Sequence, residues 1–283
     1  MSYTAKTVAL IDGDIPLYRV GFVCEHTDYD VYLEGEEEAG RLASFPNKTE
    51  LNKWLKDNEG DYTITTNTWT DELSHAFHSV KLMIQNILEQ TNASSYIIYL
   101  TGSNNFRNVV LPSYKAGRKP RPILYQDIKD YIIANYNTVV TDGIEADDAL
   151  GIEQTATEYA AAQQVLGGHL CHKSVICTID KDLLMIPGRH YNFVTDVHQE
   201  VSEEQGSYTF DCQLLTGDNV DNICGIKGLG PKTAEKLLSG KNPTERREII
   251  CNEYLKYWGE DFMEVLECNE KLLWILREPL SET

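Results

Sequence analysis

Nine carboxylates stand in four short clusters separated by long stretches of chain: Asp12 and Asp14 in LIDGD, Glu145, Asp147 and Asp148 in GIEADDA, Asp180 and Asp182 in TIDKD, and Asp218 and Asp221 in GDNVDN. Three of the clusters begin where an apolar, strand-like run stops. In an open α/β sheet, ligands collect beyond the carboxyl ends of the strands, so these acids are expected to converge. Bare carboxylates packed together repel, and relieving that by proton uptake needs large pKa shifts. Hard divalent cations relieve it as well, since magnesium and manganese prefer oxygen ligands and keep several waters. Two such ions about 4 Å apart can clamp a phosphodiester, one generating hydroxide and the other stabilising the leaving oxygen. No nucleophilic side chain is required. Taken singly, each cluster has a plainer explanation. A strand-end aspartate is commonly a turn former or helix cap, which stays open for Asp14 and Asp142, and acids suit the first turn of a helix. Four clusters together argue for the metal reading.

The surrounding pattern supplies elements able to position them. Residues 6–12 (KTVALID), 96–100 and 174–180 (SVICTID) read as buried strands, the first and last ending in acid. TVVTD is a further short strand leading into GIEADD, and RHYNFV another. Helical periodicity covers 71–90, about 123–136 and 146–164. This alternation predicts an α/β fold with a mostly parallel central sheet flanked by helices. Residues 25–72 read as an insertion of strand-like pieces, YDVYL and YTITTNTW, around a short helical TELNKWLKDN. After about 208 the chain reads as helical, interrupted by GIKGLGPKTA. The expected division is a metal-dependent α/β domain over 1–207 and a helical region over 208–283 that packs back on it.

Composition bounds the rest. The 283 residues are 42% hydrophobic and 24% charged, ordinary for a globular protein. No apolar run approaches the roughly 20 residues of a membrane span, and the opening MSYTAKTVALIDGD lacks the features of a signal peptide. An intracellular, cytoplasmic, monomeric protein is expected. The seven cysteines have no paired spacing, and His169, Cys171, His172 and Cys177 do not match a common zinc pattern. A net charge of −19 opposes phosphate binding overall, but the charge is uneven. Residues 25–72 carry 13 acids and 4 bases, whereas PSYKAGRKPRP (112–122) carries four bases and no acid.

The combination IDGD, YKAGR, GIEADD, TIDKD, GDNVDN and GIKGLGPKTA, in this order, resembles the 5′ nuclease family of flap endonucleases, the 5′-nuclease domain of bacterial DNA polymerase I, and bacteriophage 5′–3′ exonucleases. The resemblance covers about 6–24 and 96–240 and is closest to the compact phage members. It implies a PIN-like fold and a magnesium- or manganese-dependent 5′–3′ exonuclease with flap endonuclease activity on DNA. In that family pattern Asp12, Glu145, Asp147 and Asp148 serve a first ion, and Asp180, Asp182, Asp218 and Asp221 a second. Tyr114, Lys115 and Arg118 match the YK-x-x-R element whose cations contact the scissile phosphate, and Arg19 matches an arginine near it. Lys119 and Arg121 extend that basic run toward DNA. Residues 225–234 resemble a helix–hairpin–helix turn, in which Gly228 and Gly230 let backbone amides approach a duplex phosphate, Lys227, Lys232 and Lys236 add charge, and potassium is often held by carbonyls.

Two departures qualify the match. Family members place another aspartate after the second strand, where this chain has Gly102 in LTGSNNFR. The first ion's set is then one carboxylate short, or Asp14 compensates. Pro120 and Pro122 interrupt the region in which relatives build a helical arch. Two rival functions follow: a ribonuclease acting on RNA primers or RNA–DNA hybrids, and a non-catalytic binder of branched DNA.

Overall fold

The structure is a computed structural model that describes residues 6–35, 38, 40–164 and 173–280. Along the chain come β1 (Thr7–Asp12), α1 (Asp14–Val23), β2 (Glu25–Leu33), β3 (Ala43–Phe45), α2 (Lys48–Asp57), β4 (Tyr62–Thr70), α3 (Leu73–Thr91), β5 (Ser95–Leu100), α4 (Arg107–Val110), α5 (Tyr125–Asn135) and β6 (Thr138–Val140). They continue with α6 (Ala146–Gln164), β7 (Lys173–Cys177), β8 (Gly188–Asn192), β9 (Val197–Val201), α7 (Glu203–Thr216), β10 (Gly217–Asp218), β11 (Ile223–Cys224), α8 (Pro231–Leu238), α9 (Pro243–Trp258) and α10 (Phe262–Leu273). One compact unit comprises Pro16–Leu82 and Arg121–Ala134, and the other the remaining described residues.

The larger unit is α/β. Its six-stranded sheet runs β6-β5-β1-β7-β8-β9, parallel throughout except that β9 returns antiparallel to β8. The near-continuous apolar runs of β1, β5 and β7 are what a parallel strand covered on both faces requires. Leu10 and Ile176 pack with Leu150 of α6 and with Leu183, Ile186 and Ile275. Because these strands are parallel and in register, with Asp12 beside Tyr99 and Ile11 beside Cys177, their carboxyl ends share one edge. Strand β9 was not foreseen, as its sequence VHQEV has exposed, largely polar side chains.

Helices α7–α10 form a second core in the same unit, in which Leu214, Leu238, Ile250, Tyr254 and Leu266 are buried together with Tyr114. Ser202 and Asn242 open α7 and α9 with full capping boxes. Between α7 and α8 the chain makes the two-residue ladder β10–β11, absent from the sequence reading. From Leu111 to Leu124 the backbone is turn and coil with no helix, in line with the two prolines.

The smaller unit holds an antiparallel sheet ordered β3-β2-β4, paired along all nine residues of β2 and β4. An aromatic cluster of Phe45, Trp54 and Tyr62 joins α2 to it. Among the described residues no helix is long and apolar enough to cross a membrane. The His169–Cys171–His172 segment lies outside the described residues, and Cys177 is a buried free thiol on β7.

Candidate active site beyond the carboxyl ends of the strands

Asp12 ends β1 at 2% exposure. Its Oδ2 accepts a hydrogen bond from Thr178 Oγ1 at 2.7 Å, and Thr178 Oγ1 accepts in turn from the Asp180 amide at 3.0 Å. The Asp182 amide donates to Asp180 Oδ1 at 2.9 Å. A threonine just past β7 therefore ties the first acidic cluster to the third. Asp14 opens α1. Its amide donates to Asp12 Oδ1 at 3.2 Å, and its carboxylate accepts from Thr101 N at 3.2 Å, just past the end of β5.

Glu145, Asp147 and Asp148 sit where α6 begins, but they face different partners. Asp148 is completely buried and gripped by both terminal nitrogens of Arg107, at 2.6 and 2.9 Å. It also accepts from the backbone amides of Glu145 and Leu276, each at 3.0 Å. Arg107 completes its donors on the carbonyls of Leu272 and Trp274. This fork is a bidentate, charge-assisted pair that fastens the segment after α10 to the start of α6. Asp148 is thus engaged by Arg107 and stands apart from the acids that line the cleft.

That cleft, about 240 Å³, is lined by Glu145, Asp147, Asp180, Asp182, Asp218 and Asp221 together with Arg107, Tyr114, Lys115, Arg118 and Gln213. Carboxylates from three of the four clusters therefore line one space, with Asp12 just behind it. Burial is the main reason that the Asp12 carboxyl is pushed up to about 7, with Asp14 and Asp180 adding repulsion. Burial and then the charges of Asp12, Asp180 and Glu145 hold Asp147 well above the ordinary carboxyl range. Asp182 rises to about 6 through burial and then Asp180, with Asp218 and Asp221 contributing. The acids fall into two overlapping groups, Asp12–Glu145–Asp147–Asp180 and Asp180–Asp182–Asp218–Asp221.

Positive side chains reach into this space. Lys115 has a left-handed backbone, φ 59°, and its Nζ donates to Glu145. Arg118 Nε donates to Asp221 at 2.8 Å. The buried Tyr114 hydroxyl donates to Glu145 at 2.9 Å and lies 3.2 Å from Asp221. Burial, and then those carboxylates, push its own ionisation far above the usual range, so it stays a neutral donor. Among the described residues no three His, Cys, Asp or Glu side chains close on a common metal position as placed, while Lys115 and Arg118 occupy Glu145 and Asp221. The donor set still fits hard divalent cations, because it is all oxygen, buried or half-buried, and mutually repelling.

The remaining sequence candidates lie elsewhere. Arg19 is exposed on α1 in the smaller unit, and Arg121 of that unit stacks over Tyr125 with its guanidinium 4.5 Å from the ring centre. Lys119 is exposed. Lys227, Gly228, Gly230, Lys232 and Lys236 are all exposed around the turn that enters α8. Gly228 has φ 85° and open space where a Cβ would stand, which leaves its amide approachable. Three residues of the site escaped sequence reasoning. Thr178 and Gln213 gave no signal, and Arg107 could have been noticed only as a lone charge beside the apolar pair Val109–Val110.

A family model described as 5′-3′ exonuclease, N-terminal resolvase-like domain, matches residues 60–211. The chain is 33% identical over 156 residues to a DNA polymerase I of Rhizobium leguminosarum, across 50% of this chain and 14% of that one. It is 31% identical over 175 residues to a 5′-3′ exonuclease of Buchnera aphidicola, across 58% of this chain and 60% of that one. It therefore spans less than two thirds of either relative. Among solved structures, bacteriophage T5 5′-exonuclease with bound divalent metal ions (zinc) matches with a TM-score of 0.52 at 17% identity, covering 95% of this chain and 89% of that one. That likeness speaks to the fold.

Proposed function

Since the match over residues 60–211 places the chain in the 5′-3′ exonuclease family, we propose that it is a divalent-metal-dependent hydrolase that cuts DNA phosphodiester bonds at 5′ ends and 5′ flaps. The observation that carries this reading is the cleft into which separate motifs deliver Glu145, Asp147, Asp180, Asp182, Asp218 and Asp221. The two acidic groups would hold two cations, magnesium or manganese. When bound, these supply Lewis-acid activation of water and neutralise charge on the leaving oxygen.

The chain's own residues perform the remaining tasks. Thr178 keeps Asp12 and Asp180 aligned across neighbouring strand ends. The Arg107–Asp148 fork fixes the start of α6, and with it the direction of Glu145 and Asp147. Lys115 and Arg118 pair with Glu145 and Asp221. Cations at those carboxylates would free both side chains to face a phosphate and stabilise its developing charge. Lys227, Lys232 and Lys236, with the exposed amide of Gly228, suit the duplex backbone and read no bases; a potassium ion held by carbonyls of that turn belongs to the same proposal. In domain terms, residues 1–207 supply most of the acids of the cleft, while 208–283 add Asp218 and Asp221 to it and grip the duplex.

Lys115→Ala is expected to lower turnover by about 100-fold with DNA affinity little changed. The decisive assay is cleavage of 5′-labelled flap, nicked and blunt DNA in magnesium, beside the same strands carrying a 5′-RNA segment. Preference for the RNA-tipped strand would shift the assignment to a ribonuclease. The Gly102 departure keeps one other reading in play: binding of branched DNA in calcium without cleavage in magnesium or manganese would identify a non-catalytic binder.

A further inference from the structure

Gln213 stands on the last turns of α7, just ahead of GDNVDN, and lines the same cleft as Asp180, Asp182, Asp218 and Asp221. Its amide lies beside the Asp182 carboxylate and favours that group's ionised form, which sets the amide nitrogen, the only donor of that side chain, on the Asp182 side. The other end of the amide, Oε1, is buried and accepts no hydrogen bond from the protein. Buried side-chain oxygens almost always have a donor, and leaving one without costs roughly 1–3 kcal/mol. The helix had an apolar alternative at hand, since the next two residues are the fully buried Leu214 and Leu215.

An amide oxygen is a hard, neutral donor of the kind that divalent cations accept beside carboxylates. Every other oxygen donor of that group belongs to an aspartate whose charge repels its neighbours. A neutral oxygen adds coordination without adding repulsion. Resting on the metal-dependent reading above, we propose that Gln213 is a further ligand of the cation site at Asp182, Asp218 and Asp221, with Oε1 facing the cation or its water and the amide N–H fixing the orientation of Asp182.

The test is Mn²⁺ binding to the DNA-free protein, followed by calorimetry and by the electron paramagnetic resonance of free Mn²⁺. Wild type is compared with Gln213→Met, which keeps length and removes both amide functions, and Gln213→Glu, which restores an oxygen. Near-ultraviolet circular dichroism confirms the fold of each. Two equivalents are expected in wild type. Gln213→Met is expected to weaken one of them by roughly 10-fold or more and leave the other unchanged. Gln213→Glu is expected to bind at least as tightly as wild type. Unchanged binding in Gln213→Met, or equal weakening in both variants, would overturn the role of Gln213 and leave the metal-dependent reading standing. Wild type that takes up no Mn²⁺ would overturn both.

Discussion

Two regions of this chain are rich in acid and handle it in opposite ways. Around the strand ends, carboxylates are buried or half-buried and face one another, and Asp12, Asp147 and Asp182 are held above the ordinary carboxyl range by burial and mutual charge. In the smaller unit, acids are exposed or settled locally. Asp30 accepts from Asn67 at 3.0 Å and from Arg41 at 2.9 Å, and with Ser44 as the largest influence its carboxyl is held below the usual value. Asp71 sits 2.9 Å from His26, and Asn67 also donates to Asp28. A count of acids cannot separate these regions; whether the acids are buried against one another does. The pocket leaves repulsion unresolved, and unresolved repulsion among oxygens is what a divalent cation relieves.

The contrast breaks most visibly in turnover. Asp180→Ala removes the carboxylate shared by both acidic groups and is expected to lower turnover by at least ~100-fold, with a modest loss of DNA binding. Asp57→Asn and Glu59→Gln, exposed acids of the smaller unit, are expected to leave turnover within about twofold. Comparable losses in all three variants, measured by single-turnover cleavage, would erase the distinction.

A middle-sized effect is thermal. Asp12 rises to about 7 and Asp182 to about 6 from an ordinary 3.8. A carboxyl that holds its proton more tightly folded than unfolded stabilises the fold fully below pH 3.8, and that stability is lost as pH climbs through the folded value. Metal-free protein is therefore expected to lose stability from pH 4 to about 6 through both groups and on to about 7 through Asp12, by on the order of 1 kcal/mol per pH unit for each group. Asp30 works the other way: its carboxyl is held low, so the stability it contributes is present at neutral pH and lost only in more acid solution. Asp12→Asn should flatten the slope, and Mn²⁺ should restore the melting temperature at pH 7.5. A metal-free melting temperature that stays level from pH 5 to 7.5 would show the pocket acids to be as settled as Asp30.

Most of this arrangement was legible because strand ends and acids coincide in the sequence. LID, ICTID and the GIEADD helix start each announce an element and its terminal carboxylate together, so the parallel sheet and its loaded edge could be read at once. Strand β9 could not, because its polar side chains leave no alternating pattern and its pairing with β8 comes from a tight return of chain. The distinct position of Asp148 was hidden for a similar reason. Nothing local distinguishes it from Asp147; what separates them is Arg107, 41 residues away in sequence. The roles of Thr178 and Gln213 likewise exist only once separate elements meet.

The smallest expected effect concerns Gly102, where the resemblance leads one to expect an aspartate. A side chain at Gly102 would place its Cβ 2.0 Å from the Thr141 carbonyl oxygen, so the backbone here excludes an aspartate at that position unless the strand end shifts. Asp14 sits at the neighbouring place: its carboxylate accepts from the Thr101 amide and its charge helps raise Asp12. A carboxylate has thus been brought to the end of β5 from α1 instead of from the strand itself. If it supports the first cation, Asp14→Asn should raise the half-saturating magnesium concentration by roughly 10-fold, the lower end of the range seen when supporting groups at metal sites are lost. Turnover at saturating magnesium should change by no more than about twofold. Gly102→Asp should not rescue that variant, because its side chain meets backbone before it meets the cleft. Undiminished activity of Asp14→Asn at limiting magnesium would leave Asp14 as a helix-opening residue and the first acidic group complete without it.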